Sequence, residues 1–153
     1  MVYKKTQIGW WLIVVFTIPI LWLVFAYLQQ WGSRPLTVIS LVFGDVLLIL
    51  IVLLFYRLTV EIENDWVRLT YGIGLIRIRL KIEELISTKV VKTPWYYGLG
   101  IRITPKGMLY NIQGSRAVLI EYMHRGELKT VMIGSPEPEK LKRVLETGLK
   151  TSN

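Results

Sequence analysis

The chain changes character once. Up to Tyr56 nearly every position is apolar; from Arg57 onward apolar and polar positions alternate, and charges recur every few residues. Ile8 to Leu28 is a run of 21 residues without a charge. As a helix rising ~1.5 Å per residue it reaches ~31 Å, the thickness of a hydrocarbon core. Trp10 and Trp11 stand at one end and Tyr27 and Trp31 at the other, where an aromatic belt belongs. Pro19 predicts a kink, which lipid-buried helices tolerate when neighbours satisfy the freed carbonyl. A second apolar run extends from Leu36 to Tyr56. The short, turn-like stretch Gln29–Pro35 between them makes an antiparallel hairpin. Lys4 and Lys5 also suit the n-region of a secretory signal. The apolar run is too long for that, however, and no small-x-small cleavage site follows it.

Beyond Arg57 the period is two. Leu58, Val60 and Ile62 alternate with Thr59, Glu61 and Glu63; Asn64-Asp65 supplies a turn; Val67, Leu69 and Tyr71 alternate with Arg68 and Thr70. This is a β-hairpin with one buried face. Gly72-Ile73-Gly74 ends it. A third strand sets Ile76, Ile78 and Leu80 inward and Arg77, Arg79 and Lys81 outward, and a fourth covers Leu85–Lys92. Thr93–Met108 is rich in Pro, Gly and aromatics and is expected to be a long ordered loop, with at most a short extended piece at Ile101–Thr104. Three more strands follow at Leu109–Ile112, Ala117–Met123 and Leu128–Ile133. A closing helix is expected with Ser135 as N-cap, Pro136 in its first turn and Leu141, Val144, Leu145 and Leu149 as its apolar stripe. The expected organisation is a membrane hairpin, residues 1–56, and a mainly β (α+β) domain, residues 57–153. Its seven antiparallel strands form a partly open barrel capped by a C-terminal helix, the order of a pleckstrin-homology (PH) fold.

Charge sharpens this division. The net charge of +8 separates into +2 for residues 1–56 and +6 for residues 57–153. Lys4, Lys5 and Arg57 flank the spans on one side, against Arg34 alone in the connecting loop. Both termini are therefore expected on the cytoplasmic side of the membrane. A basic domain held there suits an anionic lipid surface; no nucleic-acid motif is present. Cysteine is absent, which removes disulfides and thiolate ligands.

Two spans followed by Leu58-Thr59-Val60-Glu61-Ile62, Tyr71-Gly72-Ile73-Gly74, the run from Pro94 to Arg102 and Leu109-Tyr110-Asn111-Ile112-Gln113-Gly114 resemble small bacterial membrane proteins with a bacterial PH-like domain. The resemblance covers nearly the whole chain. It implies a plasma-membrane protein with a cytoplasmic PH-like domain and implies no activity.

Little catalytic chemistry is on offer. His124 is the one histidine and falls in a tight turn beside Arg125 and Gly126. No His or Asp cluster has metal-ligand spacing. Gly98-x-Gly100 lacks the setting of a dinucleotide loop. Glu83 and Glu84, being adjacent, point to opposite faces of a strand. No enzyme activity, metal or cofactor is expected. Two groups suggest binding instead. Arg77, Arg79 and Lys81, with Arg68 on the neighbouring strand, form an outward basic stripe able to meet lipid headgroups. The first hairpin loop, Asn64-Asp65, lacks the basic residues of a phosphoinositide-binding PH domain. Trp95, Tyr96 and Tyr97 are consecutive and cannot all point inward, so one or two are available to an interface. Asp45 is the only charge inside a span, next to Gly44. An intramembrane carboxylate marks either a proton path or a packing contact; with no second ionisable group in the spans, packing is the expectation. The leading functional expectation is a non-enzymatic, membrane-tethered module that binds a protein partner or itself. The alternatives are a sensor of anionic lipids through the basic stripe and a small accessory subunit of a membrane complex.

Overall fold

A computed structural model describes residues 3–94 and 100–149. In chain order the elements are β1 (Tyr3–Ile8), α1 (Trp10–Leu28), α2 (Val38–Phe55), β2 (Arg57–Glu63), β3 (Trp66–Tyr71), β4 (Ile76–Lys81), β5 (Glu84–Lys92), β6 (Gly100–Thr104), β7 (Gly107–Asn111), β8 (Arg116–His124), β9 (Glu127–Gly134) and α3 (Pro138–Gly148).

The helices α1 and α2, of 19 and 18 residues, are long and apolar enough to cross a bilayer, with mean hydropathies of 2.4 and 3.0. Only Leu12 of α1 and no residue of α2 is buried. A core helix of a water-soluble fold covers its apolar stripe with other elements; these two are apolar all round and uncovered. Thr37 caps α2, its Oγ1 accepting the Ser40 N–H at 3.2 Å.

The first span starts two residues later than expected, because Tyr3–Ile8 is a strand. It pairs antiparallel with β2 from Tyr3↔Ile62 to Ile8↔Arg57. Only Tyr3 and Ile8 in that segment are apolar, so no alternation marks it, and its partner lies more than 50 residues away. The expected seven antiparallel strands are, among the described residues, nine. The second additional strand is β6, which pairs antiparallel with β7 where only a short extended piece at Ile101–Thr104 within a long loop is expected. The strands form two open sheets, β1-β2-β3-β4 and β5-β8-β9-β7-β6, which do not close into a barrel. In the second sheet β7 and β9 run parallel.

The larger of two hydrophobic clusters lies between the sheets and α3, and a smaller one gathers Leu109, Ala117, Leu119 and Met132. The larger holds Leu58, Val60 and Ile62 of β2, Val67, Leu69 and Tyr71 of β3, Val118, Ile120 and Tyr122 of β8, and Leu141, Leu145 and Leu149 from the C-terminal segment. These are the inward positions that the alternation predicts, and a slip of one residue in any strand would turn its set outward. The last helix differs at its start. Pro136 biases Ser135 toward extended backbone, so α3 begins at Pro138, a proline in its first turn. Ser135 Oγ instead accepts the Glu137 N–H at 3.2 Å.

The joint between helices and sheet positions everything that follows. Gly9 alone separates β1 from α1, and Tyr56 alone separates α2 from β2. The Gly9 N–H donates to the Tyr56 carbonyl at 2.7 Å. Gln113, in the turn after β7, clamps the same place. Its Oε1 accepts the Trp10 N–H at 3.0 Å, and its carbonyl accepts from Gln7 Nε2. Gly9 carries no side chain that could cap α1, so Gln113 satisfies a first-turn N–H from 103 residues away. The helical hairpin grows directly out of the β1–β2 pair.

Candidate functional site

Register assigns a height to each residue of the four-stranded sheet, counted from the helix end. Arg77 is level with Thr70 and Thr59; Arg79 with Arg68 and Glu61; Lys81 with Trp66 and Glu63. At ~3.4 Å per residue these rows stand ~7, ~13 and ~20 Å beyond Arg57 along the strands. Arg68, Arg77, Arg79 and Lys81 do share the sheet's outer face. Arg68, Arg77 and Arg79 line one cleft, and Lys81, farther from the helices, lines another.

Near the helices, a cleft of about 340 Å³ is lined by Arg57, Glu61, Arg68, Thr70, Arg77 and Arg79. Two guanidinium groups are held by the turn between β3 and β4. Arg57 Nε donates to the Gly72 carbonyl and Arg77 Nε to the Gly74 carbonyl, each at 2.8 Å. Arg57 also lies 5.3 Å from the centre of the Tyr56 ring. The acids nearby are engaged elsewhere: Glu61 with Lys4 Nζ at 2.6 Å and Glu63 with Arg68 Nη1 at 3.5 Å. Arg68 and Arg79 face each other across the strands, a like-charge pair that disfavours the sheet unless an anion is near.

Far from the helices, a cleft of about 350 Å³ lies between the sheets. The exposed Trp66 lines it beside Tyr122, which is largely buried in the core; Arg79, Lys81, Arg125 and Lys129 line it with positive charge. Glu83 organises its wall. One carboxylate oxygen accepts the Arg125 N–H at 2.9 Å, and the other lies 3.6 Å from Lys81 Nζ and 3.7 Å from His124 Nδ1. The Arg125 N–H, helped by Lys81 and His124, holds the Glu83 carboxyl below its ordinary range. Glu83 is thus a support for the left-handed turn at Arg125, where φ is 54°, rather than only surface charge. Beside this cleft, β4 is an edge strand of its sheet.

The remaining expectations divide. Trp95, Tyr96 and Tyr97 lie outside the described residues. Asp45 sits midway along α2 with its Oδ1 shielded and without a hydrogen-bond partner among the described residues. Gly44 beside it meets α1, where an added Cβ would lie 3.2 Å from Leu23 Cδ1. An apolar cavity of about 430 Å³ lies where α1, α2 and β6 meet, lined by Trp11, Leu12, Phe55 and Ile101 among others. Sequence reading did not single out Arg57, Trp66, Tyr122, Arg125 or Lys129. Only the folded register gathers them, although the basic turn His124-Arg125 was a visible signal. Among the described residues, no group of three or more His, Asp or Glu side chains is placed to hold a metal ion. No protein-family model, curated protein or solved structure matches the chain.

Proposed function

We propose that this chain is a non-enzymatic, membrane-tethered docking module. Its two helices span a bilayer, its PH-like β domain stands on the cytoplasmic surface, and the cleft at the far end of that domain takes an acidic segment of a protein partner. The observation that carries the reading is the joint. Single-residue connections and the Gly9–Tyr56 hydrogen bond leave the domain no flexible tether, so the hairpin fixes which surface faces lipid and which faces outward.

Several features support the parts. Two long, mainly apolar helices that the rest of the fold leaves uncovered suit lipid and not water. A cleaved signal fits poorly, since β1 precedes α1 and is built into the sheet. The β1–β2 pairing keeps the N-terminal segment and the β domain on one side of any bilayer that the hairpin crosses, and the basic excess favours the cytoplasmic side. Two sheets followed by one amphipathic helix suit a PH-like fold. The far cleft combines four cations with two aromatic rings beside an open strand edge, a setting for β-strand addition by a complementary, acidic chain.

A photo-crosslinking side chain in place of Trp66, in the full-length protein in its native membrane, tests this. A defined protein adduct that disappears on Arg79→Glu with Arg125→Glu is the expected result. An adduct with a second copy of the chain would make the partner the chain itself. A monomer with nothing attached overturns the docking reading.

A further inference from the structure

We propose that the turn between β3 and β4 is a third membrane contact of this chain, and that Arg57 and Arg77 at its base bind the phosphate of an anionic lipid headgroup. The inference rests on the reading of α1 and α2 as membrane spans and adds a lipid site nearer the helices than the protein cleft, the two clefts meeting at Arg79.

The argument begins with one backbone hydrogen bond. The Ile73 N–H donates to the carbonyl of Leu53 at 3.1 Å. Leu53 lies two residues before the end of α2, so the tip of the turn reaches ~3 Å inside the end of the helix. Whatever depth that helix end has in a bilayer, Ile73 shares it. The approach depends on Gly72: a Cβ there would overlap the carbonyl oxygens of Leu53 and Leu54, and the Gly72 φ is +50°. The Gly72 N–H donates to the Arg57 carbonyl at 2.8 Å, which fastens the base of the turn to the first residue of β2.

The composition of the turn matches that depth. Ile73 is 50% and Leu75 69% exposed, at the tip of a hairpin. Turns that face water carry Asn, Asp, Gly or Ser. The two hairpin turns at the far end of the domain obey that rule, with Asn64-Asp65 and Arg125-Gly126. The turn that touches α2 breaks it with two large apolar side chains. Trp10 and Trp11, at the start of α1, lie at the same end of the hairpin, where amphipathic rings settle in the interface.

The charge lies one layer further out. Each guanidinium is fixed through Nε to a carbonyl of this turn, which leaves its terminal nitrogens to a ligand. A phosphate accepts such forks in pairs. A headgroup layer is ~5–8 Å deep on each side of the hydrocarbon. Arg57, at the helix end, and Arg77, ~7 Å along the strands, fall within that layer. Lys81, ~20 Å out, is beyond the ~8–10 Å over which salt leaves surface charges in contact. The basic stripe therefore divides: its near end belongs to lipid and its far end to the protein cleft.

The absence of cysteine makes the test clean, since one introduced thiol carries one label. Full-length Ile73→Cys, Leu75→Cys, Ile49→Cys and Leu128→Cys variants carry a polarity-sensitive fluorophore in phosphatidylcholine vesicles with or without phosphatidylglycerol. Ile49 lies in α2; Leu128 lies at the far hairpin. The expected result is a lipid-like signal at Ile49, an interfacial signal at Ile73 and Leu75 that lipid-borne quenchers reach, and a water-like signal at Leu128. Water-like signals at both turn positions, with Ile49 in lipid, overturn this inference alone. A water-like signal at Ile49 overturns the spanning reading and the inference with it.

For the headgroup, the fraction of phosphatidylglycerol retained by the purified protein is read by native mass spectrometry. Arg77→Gln alone should lower the preference for the anionic lipid about fivefold, the equivalent of ~1 kcal/mol, and Arg57→Gln with Arg77→Gln further. Arg125→Gln, at the far cleft, should leave it unchanged. Displacement by inorganic phosphate would mean that the site reads phosphate from any source; retention against it assigns the site to the lipid. Equal lipid retention in all variants overturns the phosphate site.

Discussion

The two ends of the β domain carry similar charge and opposite geometry. At the near end, arginines are pinned to a turn with apolar tips, and that turn touches the last turn of a helix built for lipid. At the far end, arginines and lysines surround aromatic rings, and the turns are polar. Composition alone does not separate them, because the same stripe of alternating basic residues feeds both. Distance from the helix end does. A charge acts on what lies within a screening length, so on the proposed reading identical side chains one or two rows apart on a strand would serve different partners.

The largest test of this contrast is Gly72→Ala. A side chain at positive φ that also collides with main-chain oxygens should cost about 1–3 kcal/mol of stability and push the turn off α2. The thermal midpoint should fall, and a fluorophore at Leu75 should move toward a water-like signal. Crosslinking from Trp66 at the far end should persist; its loss would show the two ends to be coupled. A smaller effect is expected from Gln113→Ala, which removes the remote cap of α1. Losses on removing a cap are about 0.5–2 kcal/mol. Hydrogen exchange at Trp10 and Trp11 should quicken while the amide of Arg125 keeps its protection.

The smallest effect is pH dependence. The carboxyls of Glu83 and Glu137 are both held below their ordinary range, Glu83 by the Arg125 N–H and Glu137 by its hydrogen bond with Lys5. Lys5 is raised by the same bond. Groups with a depressed folded pKa stabilise the fold above the unfolded carboxylate value of ~4.3, and that stability is lost as pH falls through the folded value. A raised lysine contributes below its unfolded value and loses its effect only as pH rises through the folded one. Stability should be flat across neutral pH and fall in acid. Glu83→Gln should remove part of the acid loss and loosen the Arg125 turn, and Glu137→Gln the part that ties β1 to α3. Denaturant midpoints measured between neutral pH and pH ~3 read both effects.

Much of this molecule is legible without coordinates, and the exceptions share a cause. The apolar spans, the inward sets of β2 to β4 and the stripe of α3 follow from local periods, whereas β8 and β9 bury consecutive residues on both faces. Strand β1 does not follow from a local period. Its inward Lys5 and Gln7 look like flanking polarity, and they are satisfied by Glu137 and the Gln113 carbonyl, each more than 100 residues distant. Strand β6 is flanked by glycines, precedes Pro105 and pairs on one side only, so turn chemistry masks it. The parallel β7–β9 pair skips a strand in sequence. For the candidate sites, alternation places Arg68, Arg77, Arg79 and Lys81 on one face, but nothing local tells how far each stands from the helices. That depends on pairings back to β2. A fragment beginning at Arg57, natural by sequence, would lose the β1 strand and leave β2 an open edge.

The pairing of β1 with β2 also sets an order of events. β1 is synthesised before its partner, which follows only after the whole helical hairpin. If α1 and α2 cross a bilayer as proposed, the four-stranded sheet cannot be completed until the chain has entered it, turned and come back. If the second helix fails to return, β1 and β2 are stranded on opposite faces, and the edge of β2 stays open with Leu58, Val60 and Ile62 behind it. On that reading, completion of the sheet would distinguish correctly threaded chains, which close, from misthreaded ones, which keep an open strand edge prone to aggregation.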